Sequence, residues 1–103
     1  MKNLITILIF LILSYGLVRA GTLYGRIIDE NGRSLAKRSI IIEGKEIMTN
    51  EFGGYAVDLP DGERNINITI EDIRYSIFIT IYSPETKQNW RIDRKNKRLI
   101  KIR

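Results

Sequence analysis

Isoleucine at every second position is the feature that most limits what this chain can fold into. Ile66, Ile68 and Ile70 alternate with Asn65, Asn67 and Thr69, and Ile77, Ile79 and Ile81 repeat the spacing a few residues later. A period of two gathers such residues on one face of a strand, where a helix would scatter them. No stretch after residue 20 sustains a helical period. What recurs is a short apolar run closed by a turn signal.

Eight strands are predicted on this pattern: Thr22 to Ile28, Arg38 to Glu43, Glu46 to Thr49, Tyr55 to Leu59, Asn65 to Glu71, Tyr75 to Tyr82, Asn89 to Asp93 and Arg98 to Ile102. The third is short enough that the count is seven or eight. Asn31-Gly32, Gly44, Gly53-Gly54 and Pro60-Asp61-Gly62 mark the turns, with Asn and Gly tolerating positive φ. Ile40, Ile41 and Ile42 in succession suit a strand covered on both faces. Ser83 to Gln88 reads as a polar loop, and the last two strands as a hairpin around Arg94-Lys95-Asn96-Lys97. Short strands at regular spacing argue an all-β, antiparallel sandwich.

Composition narrows the chemistry. The chain has no Cys and no His. It therefore has no disulfide, no Cys or His ligand for zinc and no imidazole for Ser-His or Cys-His catalysis. The paired acids Asp29-Glu30 and Glu71-Asp72 sit at turns, where turn chemistry explains them. Asn67-Ile68-Thr69 fits a glycosylation sequon by spacing but lies within a strand. No catalytic residue, metal ligand or cofactor is expected.

The N-terminus has a different character. Lys2 precedes an apolar run from Leu4 to Val18, interrupted by Thr6 and by Ser14-Tyr15-Gly16. Its length suits a secretory signal of about 7 to 15 apolar residues better than a spanning helix of roughly 20. Val18-Arg19-Ala20 offers a cleavage position after Ala20. The expectation is a signal helix over residues 1–20 and a domain over 21–103; the alternative is an uncleaved membrane anchor. Either way the domain is exported, to the periplasm, the cell surface or the medium. The 83 residues after Ala20 carry 15 basic and 12 acidic side chains, and 16 of them are Ile. A chain this short buries only roughly 60 to 65% of its unfolded surface, so stability must come from that apolar core.

A longer pattern runs through Gly25, Ile27, Asp29, Gly32, Leu35, Ile40, Ile42 and Gly44. It continues into Thr49-Asn50-Glu51-Phe52-Gly53-Gly54-Tyr55-Ala56-Val57-Asp58-Leu59-Pro60-Asp61-Gly62. Here Thr and Asn precede a Gly turn, and an aromatic leads to Leu-Pro, one residue and Gly. Over residues 22 to 70 the chain resembles the carboxypeptidase regulatory-like domain family, which implies a transthyretin-like (prealbumin-like) β-sandwich. It departs from the family pattern at Ser34-Leu35, where Pro-Leu is usual, at Arg64, where an aromatic is common, and in its basic C-terminal hairpin. The resemblance implies no catalytic residues. Transthyretin-like hydrolases depend on His, which this chain lacks. Adhesin domains with a Lys–Asn cross-link take Lys from a first strand that here carries Arg26.

Charge is the most uneven property. Residues 21 to 86 hold seven basic and 11 acidic side chains, whereas residues 87 to 103 hold eight basic ones and Asp93. Arg91, Arg94, Lys95, Lys97, Arg98 and Lys101 are candidate contacts to an acidic protein or an anionic surface polymer. The competing reading is a hairpin whose Lys and Arg guard a sheet edge or fold back on the module's own acids. Tyr24, Phe78 and Tyr82 lie opposite the predicted core faces and are candidates for stacking on sugars or for a protein interface. Nucleic acid is not an expected partner, because aromatics are not interleaved with the basic residues. Trp90 alternates in phase with Ile92 and reads as core. The function these observations support is a non-catalytic accessory or binding module of the cell envelope. It would contact an envelope or extracellular protein, or a surface polymer, through a sheet edge or the hairpin. Membrane contact would come only through a retained N-terminus. A carbohydrate-binding module and a structural subunit of a surface assembly are the alternatives.

Overall fold

The computed structural model describes residues 20–103; the signal helix expected before them lies outside the described residues. Among the described residues there are nine strands: β1 (Ala20–Ile28), β2 (Ser39–Ile42), β3 (Lys45–Met48), β4 (Gly54–Pro60), β5 (Gly62–Ile70), β6 (Ile73–Ile81), β7 (Glu85–Lys87), β8 (Asn89–Asp93) and β9 (Arg98–Ile102). They form two packed sheets. One runs β4-β1-β8-β9, with β7 also on β1, and the other runs β3-β2-β5-β6.

Alternation builds the core. Leu23 and Ile27 from β1, Tyr55, Val57 and Leu59 from β4, and Trp90 and Ile92 from β8 face Ile40 and Ile42 from β2. Ile66, Ile68 and Ile70 from β5 and Tyr75, Ile77, Ile79 and Ile81 from β6 complete it. Trp90 is fully buried.

Three expectations need correction. The segment read as a polar loop contains β7, because Thr22 to Tyr24 pair with Glu85 to Lys87. Side-chain polarity hid a strand that only backbone pairing reveals. The sandwich is also not wholly antiparallel. β7 and β8 both run parallel to β1, since the chain crosses from the end of β6 in one sheet to the middle of the other. Finally, Ile41 is 41% exposed, so β2 is covered on one face only.

The Thr-Asn-x-x-Gly segment pins the loops at one end. Thr49, buried, donates its hydroxyl to the Leu35 carbonyl at 2.6 Å and accepts the Arg38 N–H at 2.8 Å. Asn50 Oδ1 accepts the N–H groups of Phe52 and Gly54. Gly53 sits at φ +77° with the Ile27 carbonyl oxygen where a Cβ would stand, so no other residue fits without strain.

Candidate functional site

Because β8 runs parallel to β1, the turn of the basic hairpin lies beyond Ile28, at the end of the sandwich opposite Ala20. There Arg94 folds back on the module's own acids. Its guanidinium pairs with Glu30, in the loop after β1, and with Glu71 at 2.9 Å, in the turn between β5 and β6. One side chain thus links the ends of both sheets. The hydrogen bonds that Arg94 donates to Glu71 raise the Arg94 pKa. The Glu30 carboxyl is held below its ordinary range, first by its own backbone N–H and then by the N–H and charge of Arg94. Arg98 pairs with Asp93 at 3.2 Å. The Asn96 side chain, ahead of Arg98, lowers the Asp93 pKa. Asp29 accepts the N–H groups of Asn31 and Arg33, and the Arg33 bond leads the causes that lower its pKa. Among the described residues, Arg91, Lys95 and Lys97 make no side-chain hydrogen bond or ion pair and face solvent.

The three aromatic candidates do not converge. Tyr24 is half-buried on the outer face of the β1 sheet, against Ala56 and Lys87. Phe78 is 54% exposed on the outer face of the other sheet, paired with Asn65. Tyr82 is 64% exposed and lies past the end of β6. Alternation places each residue on a face of its own strand but does not say which sheet that strand joins.

Concave space is shallow. An open groove of about 470 Å³ is lined by Tyr24, Met48, Asn50, Tyr55 and Ala56, with no acid or amine among its walls. A smaller one of about 180 Å³ lies between Arg26, Ile28, Asn89, Ile102 and Arg103. Among the described residues no three Asp or Glu side chains converge as a metal site would require.

The sheet edges carry the clearest arrangement. At each open side of the sandwich one lysine crosses between sheets. Lys45 Nζ, on β3, donates to the Asp58 carbonyl of β4 at 2.7 Å, and Lys101 Nζ, on β9, donates to the Phe78 carbonyl of β6 at 2.7 Å. Lys101 thus reaches an edge strand of the facing sheet, a partner that its place in a basic run does not reveal.

The β6 edge follows from the turn that precedes it. Glu71 and Asp72 both have positive φ, 51° and 67°, the signature of a two-residue hairpin with a type I′ turn. In such a hairpin the residues flanking the turn, Ile70 and Ile73, exchange both backbone hydrogen bonds. The odd-numbered residues of β6 then bond to β5. Arg74, Ser76, Phe78 and Thr80 direct their N–H and C=O groups away from it, as the Lys101 bond to Phe78 confirms. Of these eight groups, the Phe78 carbonyl alone has a partner among the described residues. β6 spans nine residues with no Pro, no Gly, no acid and a single base, Arg74. The other edge strands are shorter: β3 has four residues, β9 five, and β4 seven ending at Pro60.

No family model matches the chain, and no curated protein is similar enough to register as a relative.

Proposed function

We propose that this chain is a non-catalytic, exported accessory module of the cell envelope, a transthyretin-like sandwich in kind. It holds an envelope or extracellular protein by accepting a strand on the free edge of β6. The observation that carries this reading is the row of backbone groups without a partner among the described residues, on a long, almost uncharged strand. Such an edge is a template for another chain, and proteins that have no use for one blunt it. Here a single lysine covers one group of eight. The basic hairpin is the weaker candidate, since Arg94 and Arg98 are spent on the module's own carboxylates.

The test uses Ser76→Pro. The Ser76 N–H faces the open edge, so proline there removes no β5–β6 bond while placing its ring in the path of an incoming strand. Tagged full-length chain is cross-linked in its native envelope and captured, with its mass read alongside to show whether residues 1–20 remain. The expected result is a dominant partner held by the parent chain and lost from Ser76→Pro, with unchanged circular dichroism. Equal capture by both chains would refute the edge reading.

Glycan binding is a second reading with one observation behind it. Phe78 lies exposed beside Asn65 on a face that also carries Asn67, Ser76 and Thr80. Binding that survives high salt and is lost in Phe78→Ala would favour it.

A further inference from the structure

We infer that the strand which completes this edge is β6 of a second copy, paired antiparallel about a two-fold axis through Ile77. The inference rests on the edge-docking reading above and names its occupant.

The register is the first argument. In an antiparallel pair, hydrogen bonds join residues whose backbone groups face each other. With the axis at Ile77, Ser76 meets the partner copy's Phe78 and Arg74 meets the partner copy's Thr80. Each of these pairs occurs twice. All four outward residues of each strand are then used, and every one of the eight groups on each copy finds a partner. Moving the axis to Ser76 or to Phe78 leaves three such pairs, because the fourth would fall on Asp72 in the turn or on Tyr82 beyond the strand. The Tyr82 N–H is in any case held by Thr86 at 2.7 Å.

The side chains agree with that register. Phe78, the exposed aromatic at the middle of the edge, stands opposite the small Ser76. It also lies diagonally across from the other Phe78, at the roughly 7–8 Å spacing that aromatic rings span on a sheet. Arg74, the sole charge on the strand, faces Thr80, so no like charges oppose each other. The sequence Tyr75–Ile81 is uncharged and rich in β-branched and aromatic residues, which is the composition that pairs with copies of itself. Lys101 competes for one carbonyl. On pairing, its ammonium gives way to the partner copy's Ser76 N–H at the Phe78 oxygen. Lys101 therefore sets how readily the edge opens.

Because the chain has no Cys, introduced thiols report the register directly. Ser76→Cys and Phe78→Cys full-length chains are made separately, mixed and mildly oxidised, as are Arg74→Cys and Thr80→Cys. Paired residues would have Cα atoms about 5.5 Å apart, within disulfide reach, and residues two places out of register fall beyond about 7 Å. The expected result is that the two matched mixtures form disulfide dimers. Each variant alone, and the mixture of Ser76→Cys with Thr80→Cys, would not. Equal yields from matched and mismatched mixtures, or no dimer from any of them, would overturn the second copy as occupant. If Ser76→Pro still abolishes partner capture while the matched thiols fail, the edge reading stands and only the self-pairing falls.

Discussion

The Trp90 indole N–H donates to the Tyr55 hydroxyl at 2.8 Å, and that hydroxyl donates onward to the Gln88 carbonyl at 2.6 Å. Tyr55 lies on β4 and Trp90 on β8, with β1 between them. The bridge is possible because β1 presents Gly25 at that point, where a Cβ would overlap the Gln88 carbonyl oxygen. Removing the hydroxyl leaves a buried donor without a partner, which costs about 1–3 kcal/mol. Tyr55→Phe should therefore lower the midpoint of thermal unfolding, by roughly 4–8 °C for each kcal/mol in a domain of this size. Gly25→Ala should cost more, since the obstacle is backbone and cannot rotate away. Calorimetry on both variants checks the order. A neutral Gly25→Ala would mean that β7 and β8 do not approach β1 as described.

The basic hairpin gives a contrasting prediction. Arg94 and its two carboxylate partners are each about a third exposed, with side-chain exposures of 35% and 38%. Ion pairs this wet contribute little to stability and are screened by salt. Replacing Arg94, Lys95, Lys97 and Arg98 together with Gln should leave the fold intact and partner capture unchanged. Loss of capture in that variant, with Ser76→Pro still active, would move the contact from the β6 edge to the hairpin.

Lys101→Met keeps much of the side chain's length and removes its ammonium from the Phe78 carbonyl. Self-association should rise while the stability of the single copy changes little. Sedimentation over a range of concentrations checks this. Unchanged association would mean that Lys101 does not guard the edge.

Stability should fall at both extremes of pH, for different reasons. Burial pushes the Tyr55 phenol well above its ordinary value. The folded chain therefore keeps a proton that the unfolded chain releases near pH 10, and stability is lost as pH rises beyond about 10. Asp29, Glu30 and Asp93 have lowered pKa values. Their contribution is present above about pH 4 and is lost as pH falls through the acid range. Urea midpoints measured across pH check both limbs. A Tyr55→Phe variant should lose part of the alkaline limb and none of the acidic one.

Much of the fold was legible because apolar alternation survives in the long strands, with isoleucine carrying it in β5 and β6. Ile66 to Ile70 and Ile77 to Ile81 face the core as their spacing required, and Trp90 joined them. β7 was not legible, because its strand character comes from backbone pairing with Thr22 to Tyr24. The candidate site was legible residue by residue but not as a site. Alternation found Phe78 and charge clustering found Lys101, and neither could show that Lys101 reaches the Phe78 carbonyl. The free edge had a readable signal all the same. A nine-residue strand without Pro, Gly or acid is either central or exposed to partners, and only the sheet order tells which.

Amide hydrogen exchange along β6, measured on dilute full-length chain, tests the open edge most directly. The expected pattern alternates: Tyr75, Ile77, Ile79 and Ile81 exchange slowly through their bonds to β5, and Arg74, Ser76, Phe78 and Thr80 exchange fast until a strand occupies the edge. Uniform protection along β6 in the dilute chain would contradict the account, because the edge would then already be covered and have nothing to offer a partner.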